Sequence, residues 1–144
     1  VNGNTGATGN TGVVGAGKSQ TILVFSTGSG QAGHGMTASY IGQRTLTTTQ
    51  FDAQWVLPVA GSIDNLTVKS DVVPGSSGVG YTITVIKNAS TSTTLTCNIT
   101  TTTTCSLTGA VAFVAGDQLS IKIVELGSGI PIDTKVQASV TFTK

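Results

Sequence analysis

The stretch Tyr81-Thr82-Ile83-Thr84-Val85-Ile86-Lys87 decides the fold. Tyr81, Ile83 and Val85 alternate with Thr82 and Thr84, a period of two that turns one face to a core and the other to solvent. The same grammar extends downstream. After an Asn88–Ser92 turn, Thr93–Thr100 and the segment around Thr104–Leu107 form a cysteine-bearing pair, and Ala110–Val114 leads into the turn Ala115-Gly116-Asp117. Leu119–Val124 directs Leu119, Ile121 and Ile123 inward. The loop Gly127–Thr134 then precedes Lys135–Thr143, with Val136, Ala138, Val140 and Phe142 on the core side.

Upstream, Ile22–Ser26 is followed by the glycine-rich loop Thr27–Gly35, a strand at Met36–Ile41 and a polar stretch at Gln43–Gln50. Gln54–Val59 places Trp55 and Leu57 on one face, where the lone tryptophan is expected to anchor the core, and Pro58 marks an edge or strand end. Ile63–Lys69 alternates Leu66 and Val68 with polar residues, and Val73–Gly78 is turn-rich. The core anchors expected are Trp55, Leu57, Tyr81, Ile83, Val85, Ile121, Ile123, Val140 and Phe142. No run has helical period. About eight to ten short strands separated by turn clusters predict an all-β sandwich or jelly roll.

Composition agrees with that class. Only 9% of the 144 residues are charged and 38% are hydrophobic, in place of the roughly 25% charge of an ordinary soluble domain. The net charge of +1, from singly scattered Lys and Arg, builds no basic stripe. Nucleic acid is therefore not an expected partner, and neither is membrane insertion, since no apolar run reaches about 18 residues. No charged-then-apolar signal segment opens the chain, and a start at Val1-Asn2 in mid-triplet suggests a piece of a longer protein.

The first residues, VNGNTGATGNTGVVGAG, carry glycine at every third position: Gly3, Gly6, Gly9, Gly12 and Gly15. That is the period of a collagen-type triple helix, in which only glycine fits at the crowded axis. Residues 1–17 are thus expected to form a stem and residues 18–144 a head of roughly 125 residues, one domain's worth. A flexible Gly/Thr-rich linker is the alternative. The stem contains no proline, so about five triplets could not hold a triple helix alone. The head must supply trimerisation.

Gly12-Val13-Val14-Gly15-Ala16-Gly17-Lys18-Ser19 also matches the phosphate-binding pattern GxxxxGK[ST]. That pattern needs a buried strand before it and a helix after it. Glycine triplets precede it here and a strand-like run follows, so no nucleotide is expected and Gly15–Lys18 becomes the joint between stem and head. Cys97 and Cys105 bracket a short hairpin or its loop. In an oxidising compartment they are expected to form a disulfide, and in a reducing cytosol two free thiols. With His34 the only histidine, ligands for zinc are too few.

A Gly-x-y run feeding an all-β head of this size resembles the collagen-like trimeric proteins whose heads are jelly rolls of the TNF and complement-globular-head type. Bacterial and viral members include spore-surface (exosporium) collagen-like glycoproteins and related cell-surface or virion fibres. Trp55–Asp71, Tyr81–Asn88, Leu95–Thr100 and Val114–Ile121 are likewise similar to a head module of bacterial and phage surface proteins. The resemblance implies a homotrimer with its stem leaving at one pole, located outside the cell or on a spore or virion surface. It also implies O-linked sugar on the Thr-rich stem and carries no catalytic motif.

Chemistry is sparse. Glu125 is the only glutamate, Asp52, Asp64, Asp71, Asp117 and Asp133 are dispersed, and His34 sits between glycines as an exposed loop residue. Asp117 belongs to a turn, and calcium would need more clustered carboxylates. No enzyme, cofactor or metal site is expected. Asn65-Leu66-Thr67, Asn88-Ala89-Ser90 and Asn98-Ile99-Thr100 match the N-glycosylation triplet, which arises by chance in so Thr-rich a chain. The leading expectation is a structural and adhesive surface module whose head registers a collagen-like stalk. Its alternatives are a receptor- or glycan-binding fibre tip using Thr27–Gly35, Val73–Gly78 or Gly127–Thr134, and a filament subunit whose N-terminal arm docks into the next protomer.

Overall fold

A computed structural model describes residues 17–36, 38–89 and 91–144. Within them lie strands β1 (Gln20–Ser26), β2 (Ser39–Ile41), β3 (Leu46–Thr47), β4 (Trp55–Val56), β5 (Gly61–Ser70), β6 (Gly80–Lys87), β7 (Thr91–Ile99), β8 (Thr104–Phe113), β9 (Gln118–Leu126) and β10 (Val136–Thr143). A 3-10 turn at Gln50–Ala53 is the only helical element among the described residues. Gly3, Gly6, Gly9, Gly12 and Gly15, the glycines expected in a triple helix, lie outside them.

The strands form two antiparallel sheets. The first has the order β1-β10-β5-β8, and the second runs β3-β2-β9-β6-β7 with β4 paired to the start of β9. Successive strands cross from one sheet to the other, except along β2–β3–β4 and at the β6–β7 hairpin, which stay in the second sheet. Each sheet thereby turns one apolar face inward, and the two faces make a single core. Phe25, Ile63, Leu66, Val68, Ala138 and Val140 come from the first sheet; Ile41, Tyr81, Ile83, Val85, Leu95, Ile99, Ile121 and Ile123 from the second. All-β architecture with antiparallel sheets is what the alternating stretches predict.

Local departures have physical reasons. Thr104–Leu107 and Ala110–Val114 are expected as separate segments, yet they form one strand, β8. The register slips between Asp64 and Leu66, where Thr108 and Gly109 together oppose the single residue Asn65. Glycine inside a strand marks a bulge as readily as an end. In β7, residues 93–95 lie opposite the single residue Val85, so β6 and β7 change register there while β6 keeps unbroken register with β9. The strand expected at Met36–Ile41 begins only at Ser39, and the Gln43–Gln50 stretch contains β3.

Of the expected anchors, Leu57, Tyr81, Ile83, Val85, Ile121, Ile123 and Val140 are buried. Trp55 and Phe142 are half-buried and pack against the core from its margin. The Trp55 indole meets the fully buried Phe25 ring at 5.7 Å between centroids. Along the opposite margin Cys97 of β7 and Cys105 of β8 form a disulfide, with 6.1 Å between their Cα atoms. One long side of the sandwich is therefore closed by an aromatic pair and the other by a covalent bond.

Candidate functional site

Strand directions sort the loops into two ends. Gln20 pairs with Thr143, and the Lys144 N–H donates to the Ser19 carbonyl at 2.9 Å, so the start of β1 and the end of β10 lie together. Lys18 and Ser19 lead directly into β1. At the opposite, far end the loops Thr27–Gly35, Val73–Gly78 and Gly127–Thr134 meet. Ala32 and Thr134 exchange backbone hydrogen bonds of 2.8 and 2.9 Å, and the Ile132 N–H donates to the Pro74 carbonyl at 2.6 Å. Gly127, at φ +84°, lies so close to Gly78 that an added Cβ would stand 2.1 Å from its carbonyl oxygen. The far end is a consolidated surface, and it presents Ile130 and Ile132 at 75% and 58% exposure.

Two carboxylates, Glu125 and Asp71, brace this end by accepting hydrogen bonds. His34 Nδ1 lies 2.8 Å from Glu125 Oε1, and the Gly35 N–H donates to Oε2 at 3.0 Å. The His34 ring holds the Glu125 carboxyl below its ordinary range. Asp71 accepts from the Thr134 hydroxyl at 2.7 Å and the Lys135 N–H at 2.8 Å, bonds that lower its pKa in that order. Burial, and then the charges of Asp133 and Glu125, push the Tyr81 phenol up to about 12. His34 is exposed as expected, but its partner lies 91 residues away, a spacing no local motif reveals.

The outer face of the first sheet is the second notable surface. Two cross-strand rows cover it: Val24, Ser139, Thr67 and Ser106, then Ile22, Thr141, Asp64 and Ala110. Ile22 is 69% and Val24 43% exposed. Across all four strands only Asp64 and Lys69 carry charge. The Asp64 carboxylate accepts hydroxyl bonds from Ser62 at 2.8 Å and Thr143 at 2.5 Å, so the face keeps no free anion.

Asp117, expected as a simple turn residue, is a nearly buried hub at the terminal end. It accepts from the Val114 N–H at 2.8 Å, Asn88 Nδ2 at 3.0 Å and Lys87 Nζ at 3.0 Å. The Val114 amide, then Asn88 and Lys87, hold its pKa at about 2, against an ordinary 3.8. Because the folded value is depressed, the stabilisation is complete above about pH 4 and is lost as pH falls towards 2. Wild type is expected to lose several degrees of Tm between pH 5 and pH 2.5 that Asp117→Asn, already destabilised at pH 5, does not lose again; thermal unfolding at the two pH values checks this. The Asn88 amide nitrogen, the atom a glycan would occupy, is engaged by this carboxylate.

The remaining carboxylates stay apart. Among the described residues no three His, Cys, Asp or Glu side chains come close enough to hold a metal ion. No protein-family model matches the chain, and no curated protein matches its sequence. The fold and surfaces define an all-β, two-sheet antiparallel protein with one internal disulfide.

Proposed function

We propose that residues 18–144 are a jelly-roll head that assembles as a homotrimer and registers a collagen-like stem at residues 1–17. The reading makes the chain a non-enzymatic structural and adhesive module, displayed on a spore, cell or virion surface. The observation that carries it is the outer face of the β1-β10-β5-β8 sheet, with exposed Ile22 and Val24 amid hydroxyl side chains and without free anions. Covering such a face with another copy buries no unpaired carboxylate, and its hydroxyls both donate and accept, so they can pair across the contact. Strand order adds support: the four-stranded sheet β1-β10-β5-β8 faces the run β2-β9-β6-β7 within the six-stranded second sheet, and eight strands in two such runs suit a jelly roll to which β3 and β4 are added at one edge. The position of Gly17, at the end opposite the far loops, suits a stem leaving at one pole.

Native mass spectrometry of the full chain at micromolar concentration is expected to show a trimer. Val24→Asp combined with Thr67→Asp, both on the exposed face, is expected to give a folded monomer, because three copies would bring like charges together. A wild-type monomer overturns the proposal. A second reading, a receptor- or glycan-binding tip, is favoured by the convergence of three loops at the far end. Broad glycan-array binding that is lost on substitution of exposed Ile130 and Ile132 would support it.

A further inference from the structure

Trp55 is expected in the core and is instead shared between the core and a cleft. One side of the indole rests on Phe25, and the backbone of β4 is tied to β9 through Trp55–Leu119 and Val56–Gln118 pairing. The ring is therefore fixed before anything binds. Its remaining surface lines a cleft of about 590 Å³ between the Gly42–Thr45 turn and the 3-10 turn at Gln50–Ala53, a volume in the range of small-molecule sites.

Besides Thr45, four polar residues line the cleft together with Trp55: Gln43, Arg44, Asp52 and Gln54. None of the four makes a side-chain hydrogen bond or ion pair with another described residue. By contrast, Asp64, Asp71, Asp117 and Glu125 all have side-chain or backbone donors. In a chain with 9% charged residues, an unpaired guanidinium and an unpaired carboxylate border the same aromatic-lined cleft. The Arg44 backbone is also held in place. Ser26 N–H donates to the Gly42 carbonyl at 2.8 Å, Gly42 N–H to the Thr45 carbonyl at 2.8 Å, and a Cβ on Gly28 would stand 1.9 Å from the Arg44 carbonyl oxygen.

We propose that this cleft binds a neutral pyranose residue. A sugar ring has an apolar C–H face, which suits a rigid indole, and a rim of hydroxyls that both donate and accept. Asp52 accepts from neighbouring hydroxyls, Arg44 donates a fork to hydroxyl or ring oxygens, and Gln43 and Gln54 do either. A phosphate or carboxylate ligand would face Asp52, and a purely apolar ligand would leave the charged pair desolvated without compensation. Opposite charges on one cleft fit an uncharged ligand that is densely hydroxylated. This site rests on neither the trimer nor the far-end reading: the Gly42–Thr45 turn adjoins Gly28 of the Thr27–Gly35 loop, but no residue of that loop lines the cleft.

The chain contains one tryptophan, so its emission reports the cleft directly. The full chain is titrated with methyl glycosides of galactose, glucose and mannose, N-acetylglucosamine, lactose and chitobiose, up to tens of millimolar. At least one is expected to change the emission saturably with millimolar affinity, and Asp52→Ala and Arg44→Ala are each expected to weaken it about tenfold or more. Both side chains are exposed, and unchanged thermal unfolding checks that each variant is folded. No saturable change with any of the six sugars overturns the proposal. So does a change that survives in both variants, or sugar binding detected calorimetrically without a tryptophan response. Native mass spectrometry of the same samples reads assembly separately, so a failure here leaves the trimer result distinct.

Discussion

Phe25→Ala is expected to lower the free energy of unfolding by about 3–5 kcal/mol, the range for removing a large aromatic from a packed core. Phe25 is fully buried, and the first sheet cannot close over the void because Phe25 lies in β1, held residue by residue to β10 from Gln20–Thr143 to Ser26–Gln137. The loss extends beyond its own contacts. Trp55 rests on this ring, so its indole is released and its fluorescence is expected to shift to the red of wild type while the chain is still folded. Urea unfolding followed at the tryptophan and by far-ultraviolet circular dichroism checks both statements. A variant within about 1 kcal/mol of wild type would mean that the Phe25–Trp55 margin does not close the sandwich.

The opposite margin should respond almost as strongly. Reducing Cys97–Cys105, or replacing both residues by alanine, is expected to cost about 2.5 kcal/mol on the chain-entropy account of a short loop. The two residues are 8 apart in sequence, yet β7 and β8 do not pair as the expected hairpin but are edge strands of different sheets, so the bond joins the two layers. Cys97 is buried and Cys105 half-buried, and reduction is therefore expected to need partial unfolding or a strong reductant. The check is the denaturation midpoint with and without reductant at unchanged m, since a stability change alone moves the midpoint and leaves the slope. An unmoved midpoint would show that the other contacts at this margin hold the layers without the bond.

Much of the fold was legible because one-sided burial writes a period of two into the chain. Tyr81–Lys87, Leu119–Val124 and Lys135–Thr143 declare their inward faces, and each is a strand at nearly its expected position. The failures follow from non-local geometry. β3 and β4 are two residues each, too short to show any period, and exist because β2 and β9 offer them an edge. Gly109 resembles a strand end, since nothing in its neighbours reveals that Asn65 across the ladder will accommodate a bulge.

The surfaces were less legible than the fold. The loops that meet at the far end are named correctly from their glycine and serine content, but their hydrogen bonds depend on which strands run which way. Asp117 resembles any turn aspartate until Asn88 and Lys87, 29 and 30 positions earlier, arrive beside it. Trp55 is apolar and unique, which points to the core. Its half-exposure depends on the Gly42–Thr45 turn standing back from it, and no residue near Trp55 encodes that.

The paired ends of the head have a mechanical consequence. A pull on Gly17 against a load attached at the Gly127–Thr134 loop, which leads into β10, draws β1 and its antiparallel partner β10 past each other along their length. The seven paired positions from Gln20–Thr143 to Ser26–Gln137 are then loaded in shear, so their cross-strand hydrogen bonds, which lie perpendicular to the strands, share the force and must fail together. A pull between Gly17 and Lys144 would instead peel the same ladder open one pair at a time. The geometry resists tension along β1 and β10 far better than it resists having Gly17 and Lys144 drawn apart.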